Sequence, residues 1–172
     1  MIEIIKAVLG LLVLAAAFFA AQTKNIKNML IFQILSNGFG MLNFVISGNF
    51  SACGIHLVAV LQAVVFLIIR AKEIKEPRWL YIVIFASYIA SSLVSFKVIS
   101  DLFPLGAAIL CGLALAQKKP SNYRLTTLFN GVLWITYDLI VKAYSMLPAH
   151  AFVFISALIG IIRLDILKKN ID

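Results

Sequence analysis

The stretch LFPLGAAILCGLALAQKK, residues 102–119, carries no charged side chain before Lys118 and Lys119. Hydrocarbon offers backbone N–H and C=O groups no water, so a chain crossing it must pair them within a helix or a closed barrel. The apolar/polar alternation of barrel strands is missing, and the run reads as a helix. At 1.5 Å per residue its apolar part, 102–117, covers about 24 Å of a hydrocarbon core of roughly 30 Å. Local thinning or snorkelling of flanking side chains is therefore expected. Runs of the same kind occupy 4–22, 29–46, 51–69, 79–94, 125–141 and 147–164. Composition agrees: 63% of the 172 residues are hydrophobic and 13% charged, where a soluble domain has roughly 45–50% and about 25%. The fold class expected is an all-α membrane protein of seven transmembrane helices. The first run begins with Glu3 and Lys6 and has no convincing cleavage site, which predicts a retained helix.

Charge placement tests the span count. The net charge of +8 would suggest nucleic acid in a soluble protein, but the basic residues lie between the apolar runs, where they set topology. With seven spans one side receives Lys6, Lys97 and Lys142. The other receives Lys24, Lys27, Arg70, Lys72, Lys75, Arg78, Lys118, Lys119, Arg124, Arg163, Lys168 and Lys169. The positive-inside rule then puts the N-terminus outside and the C-terminus in the cytoplasm. Merging 79–94 with 102–117 would set Lys118, Lys119 and Arg124 opposite the Arg70–Arg78 cluster, so seven spans are preferred over six.

The two halves repeat. Ala21-Gln22-Thr23-Lys24 matches Ala116-Gln117-Lys118-Lys119, Asn37-Gly38 matches Asn130-Gly131, His56 matches His150, and Ile-Ile-Arg ends at Arg70 and at Arg163, all 93 to 95 residues apart. Four crossings separate the first helix from the fifth, so the units are parallel repeats, and 79–94 is the linker that allows this. The organisation expected is 1–70, a three-helix repeat; 71–100, a linker segment with the fourth helix; and 101–172, a second three-helix repeat with a short cytoplasmic tail.

This arrangement of three helices, one linker and three helices resembles the SWEET, PQ-loop and PnuC-type transporters. More closely, the Ile-Ile-Arg ending, the Leu-Phe-Pro-Leu-Gly start of the fifth helix and the aromatic sixth helix are similar to YgjV-type bacterial inner-membrane proteins. The resemblance implies an inner-membrane transporter, with Trp134 in its solute site as in the related sugar carriers. The Pro-Gln pair of PQ-loop proteins is absent, since Leu105 follows Pro104. Pro104 remains a candidate hinge, because a proline inside a span frees a carbonyl and permits bending.

Polar residues inside the spans are the candidate site. Gln33, Asn37 and Gly40 share a stripe of the second helix, and Asn130, Trp134, Tyr137 and Asp138 share a face of the sixth. Gln62 and Ser156 are the third-helix candidates. Asn37, Gln62, Asn130, Trp134, Tyr137 and Ser156 form the expected substrate-binding set, between the units near the midplane. The competing reading makes the Asn-Gly pairs packing devices and the aromatics interface anchors. A carboxylate inside a span costs roughly 2.5–3.5 kcal/mol, so Asp138 should face the bundle. It either pairs with Lys142 four residues on or, with His150, couples solute to protons. Cys53 and Cys111 lack metal-ligand spacing and read as inert thiols.

No nucleophile with a base, HExxH, P-loop or paired acids are present, so no catalytic residue, metal or cofactor is expected. The reading is a transporter or facilitator of a small, uncharged or ring-bearing solute of sugar, nucleoside or vitamin type. The alternative is a non-transporting receptor or assembly factor on the same fold. Expected partners are the solute and membrane lipids, with no nucleic acid; a homo-oligomer is compatible with the sequence. Reporter fusions after Lys97 and Lys119 should lie on opposite sides of the membrane; equal reporter activity would reject seven spans.

Overall fold

A computed structural model describes residues 1–47, 50–94, 96, 98–142 and 146–167. Lys97, Lys168 and Lys169, which entered the charge count, lie outside the described residues. The described chain is helical throughout, with no strand: α1 (Ile2–Gln22), α2 (Ile26–Ile46), α3 (Phe50–Ala71), α4 (Arg78–Leu93), α5 (Leu102–Ala116), α6 (Pro120–Ile140) and α7 (Leu147–Gly160). A 3-10 turn (Ile99–Asp101) leads into α5, and a π-helical segment (Ile161–Leu167) continues α7. Five of these stretches are long and apolar enough to cross a membrane. The remaining two, α4 and α6, fall short for different reasons: α4 has only 16 residues, whereas α6 has 21 but carries polar groups along much of its length.

Neighbours in sequence pack as antiparallel helices: α1 on α2, α2 on α3, α5 on α6 and α6 on α7. Two further contacts close the bundle, α1 against α7 and α3 against α5, while α4 lies outside against α3 and α5. Large apolar side chains such as Leu11, Ile82, Val83 and Phe129 face outward, as lipid requires. Much of the interior is alanine, at Ala20, Ala59, Ala63, Ala107, Ala108 and Ala114, filled in by Met29, Phe66, Tyr88 and Leu115. Without a water-driven hydrophobic effect, such small residues let helices approach and bond through side chains. Two glutamines do the latter. Gln22 Nε2 donates to the Ser156 carbonyl (2.8 Å), joining α1 to α7, and Gln62 Nε2 donates to the Gly112 carbonyl (2.7 Å), joining α3 to α5. Tyr88, fully buried on α4, donates to Gln62 Oε1 at 2.9 Å and so ties the outer helix to the same point.

Two boundaries differ from the sequence expectation. Counting apolar residues started the sixth helix at 125, but α6 begins at Pro120, because proline is well suited to a first helical turn. Tyr123 and Arg124 thereby lie on the helix, buried in the bundle. Pro104 was read as a mid-span hinge, but it sits in the first turn of α5, where a missing N–H breaks no internal hydrogen bond.

The Ile-Ile-Arg landmarks also diverge. Arg70 reaches across to the end of α5, donating to the Leu115 carbonyl at 3.4 Å and the Ala116 carbonyl at 2.8 Å. Arg163, its sequence counterpart, is exposed on the π-helical segment. Arg124 performs the matching task at the end of α1, donating to the carbonyls of Ala21 (3.4 Å) and Thr23 (2.9 Å). Its Nε lies 2.9 Å from Asp165 Oδ2, and its Nη2 donates to Asp165 Oδ1, giving a two-pronged pair. Gly160 is needed here, since a Cβ would sit 2.7 Å from the Ala21 oxygen and 2.6 Å from Arg124 Cδ.

Arg124 is 2% exposed. Removing it strands a carboxylate and two helix-terminal carbonyls, so Arg124→Ala should cost about 3–5 kcal/mol of stability. Thermal unfolding of the detergent-solubilised variant checks this, and an unchanged midpoint would contradict the clamp.

Candidate functional site

The polar face of α6 repeats at helical spacing: Tyr123, Thr127, Asn130 and Trp134 follow one another at intervals of three and four residues, and all four line one cavity. From α2 come Gln33, Ser36 and Asn37, from α3 His56, and from α7 His150 and Val153. The α1 and α5 walls are small or apolar, with Val13, Ala17, Ala21, Cys111, Ala114 and Leu115. The space enclosed is about 190 Å³, and six helices bound it, with no lining residue from α4.

Of the residues expected to bind substrate, the structure brings Asn37, Asn130 and Trp134 to this cavity, together with His150. Gln62 is buried but is taken up by Gly112 and Tyr88, as described above. Ser156 is buried on α7 with its hydroxyl unpartnered, and it is not part of the lining. Tyr137 lies one turn beyond Trp134, edge-on to its indole at 6.1 Å, and is also outside the lining. Asp138 is buried behind His150.

Each histidine has a partner that fixes one ring nitrogen. Asn37 Nδ2 donates to the Gln33 carbonyl (2.9 Å) and to Gln33 Oε1 (3.2 Å), which turns its Oδ1 toward His56 Nδ1 at 3.0 Å. An amide oxygen only accepts, so His56 Nδ1 carries the proton and Nε2 is left as an acceptor. On the opposite side His150 Nδ1 faces Asp138 Oδ2 at 2.6 Å. The pair to Lys142 expected from the i, i+4 spacing does not form: Lys142 follows the end of α6 with a positive φ of 57°, and the carboxylate has turned inward. One imidazole thus faces a carboxylate and the other an amide, so the two sites are chemically unequal.

Aromatic stacking completes both. The His150 ring lies on Trp134 at 4.8 Å and 16°, and the His56 ring lies on Phe44 at 5.2 Å and 28°. Gly40 makes room for His56, because a Cβ there would come within 2.9 Å of the imidazole. Asn130 Nδ2 donates to the Ala107 carbonyl at 2.6 Å. At the end of the cavity nearest Ala21 and Leu115, Gln33 Nε2 donates to the Tyr123 hydroxyl, a bond from α2 to α6.

Starting the sixth helix at 125 left Tyr123 outside it, whereas Thr127 lay inside the expected run but was not counted among the site residues. Extending the three-and-four spacing back from Asn130 would have found both. Cys111 was read as an inert thiol; it is unpaired, lines the cavity and lies 3.9 Å from the Tyr88 hydroxyl. Among the described residues, no cluster of three metal-ligating side chains occurs.

A helical bundle with lipid-type outer faces and an internal cavity where a few polar side chains interrupt an apolar wall defines an integral membrane protein. A family model described as a bacterial inner membrane protein, Imp-YgjV, matches residues 4–168, and the chain belongs to that family. No curated protein and no solved structure matches the chain.

Gly40→Ala should push the His56 ring off Asn37 and lower stability by about 1–3 kcal/mol, the usual cost of overpacking. Gly38→Ala should cause no loss, since nothing lies within 4 Å of a Cβ there. Thermal unfolding of the two variants side by side tests the close approach, and equal midpoints would refute it.

Proposed function

We propose that this family member is a transporter or facilitator of a small solute held between two three-helix units, α1–α3 and α5–α7, with α4 as linker. The observation that carries the reading is the meeting, around one cavity, of Asn37 and His56 from the first unit with Asn130, Trp134 and His150 from the second. Packing supports the duplicated architecture, because α1 on α7 and α5 on α3 are the contacts that a two-fold axis along the membrane normal would exchange. The basic residues clustered where α1, α3 and α5 end support a cytoplasmic location for that end, with the N-terminus outside.

Volume and chemistry narrow the solute. A cavity of about 150 Å³ holds benzene, so 190 Å³ admits a single ring. Amide and imidazole groups supply hydrogen bonds and the indole an apolar face, which favours an uncharged, hydroxyl- or amide-bearing ring of pyranose or pyridine-vitamin size. A nucleoside would require the units to part. Passage itself calls for parting where Gln33 bonds Tyr123 and Arg124 joins α1 to Asp165.

The Asp138–His150 pair gives the cavity a means of proton coupling. His150 stacks on Trp134, so a change in its charge alters the face presented to a ring. His56 is held by an amide instead.

Proteoliposome uptake of radiolabelled glucose, nicotinamide and uridine tests the proposal. At least one of the first two should enter the vesicles saturably, and Asn130→Ala should lower its uptake about tenfold, as expected for the loss of a polar contact. Asp138→Asn should remove the dependence on a pH gradient while leaving downhill flux. Saturable binding without flux for every solute would replace transport with a receptor role.

A further inference from the structure

A second concavity lies at the bundle end where α1, α3 and α5 finish, outside the solute cavity. It is an open cleft of about 600 Å³ between the start of α2, the end of α3 and the start of α4. Three lysines converge on it from distant segments: Lys27 in the first turn of α2, Lys75 between α3 and α4, and Lys118 between α5 and α6. Arg70 lines it as well, nine-tenths buried, with its Nε–H lacking a hydrogen-bond partner.

Two carboxylates oppose these cations, and they are not equivalent. Glu76 is taken up within the protein: it accepts from the Tyr81 hydroxyl and lies 3.4 Å from Lys118 Nζ and 3.9 Å from Arg70 Nη2. Glu73 sits on the rim with a positive φ of 55°. Among the described residues Lys27 and Lys75 form no ion pair. The positive end of the α2 dipole adds to their field. Topology requires basic residues at one end of a bundle, but it does not require them to face one another across a cleft.

The donors indicate the ligand's chemistry. Planar carboxylates are best held by the Arg fork, and both Arg70 Nη atoms are occupied by helix carbonyls. Separate ammonium groups approaching from three directions suit a tetrahedral anion with several oxygens. The volume exceeds what phosphate alone would fill. Ile74, which lines the cleft, is 51% exposed, and Trp79, in the first turn of α4, is 62% exposed, which suits the depth of lipid headgroups.

We infer that this cleft binds a phosphate ester through Lys27, Lys75 and Lys118, either a phospholipid headgroup or a soluble sugar phosphate. Thermal unfolding of the full chain in nanodiscs tests the site and separates the two sources. One arm compares phosphatidylcholine with a phosphatidylcholine–phosphatidylglycerol mixture; the other adds glucose 6-phosphate or potassium chloride at matched ionic strength. A rise with phosphatidylglycerol alone supports a headgroup site, and a rise with glucose 6-phosphate alone supports a soluble ester. Lys27→Gln and Lys75→Gln should each weaken the effect about fivefold, which corresponds to roughly 1 kcal/mol per basic residue. Lys27→Arg and Lys75→Arg should retain it. Both lysines are exposed, so folding is not at stake. No rise in either arm, or equal rises in wild type and the glutamine variants, overturns the assignment.

Discussion

Every helix leaves its last carbonyls without internal partners, and where the helix end is packed against other helices water is kept from them. This constraint is most acute where α1 and α5 end against other helices. Arg70 and Arg124 answer it, each with guanidinium N–H groups on the terminal carbonyls of a helix it does not belong to. A cation at a helix C-terminus also complements the dipole. The carboxylates of Glu76 and Asp165 then offset the burial of these charges. Because Ala21 and Leu115 both accept from these arginines and line the cavity, the same two interactions fix one end of the internal space.

Above that end, the cavity exists because its walls are uneven. Alanines on α1 and α5 leave room, while α2, α3, α6 and α7 contribute the polar side chains of the wall. Almost all of these are already paired within the protein, as buried polar groups in hydrocarbon must be. Pairing also determines what each can do next. An imidazole held by an amide and one held by a carboxylate face the same cavity from α3 and α7.

The helices themselves were legible because long apolar runs admit one solution in lipid. Residues near the ends were harder. Tyr123 and Arg124 read as a polar connector, yet both are helical and buried, since their polar groups find partners on α1, α2 and the π-helical segment. Gln62 and Asn37 look alike as lone amides in apolar helices. Only the arrangement of neighbours separates them: a carbonyl of α5 and a tyrosine of α4 take up Gln62, while Asn37 remains at the cavity wall.

Composition, the spacing of apolar runs and the scatter of basic residues determined by themselves that the chain is a helical membrane protein, because hydrocarbon allows backbone groups so few conformations. The recurring Asn and His positions were also visible, as marks along the sequence. Which carboxylate faces which histidine, and which arginine caps which helix, depended on tertiary packing. Asp138 has Lys142 nearby in sequence and His150 nearby in space, and a buried charge takes the partner that the bundle brings within reach.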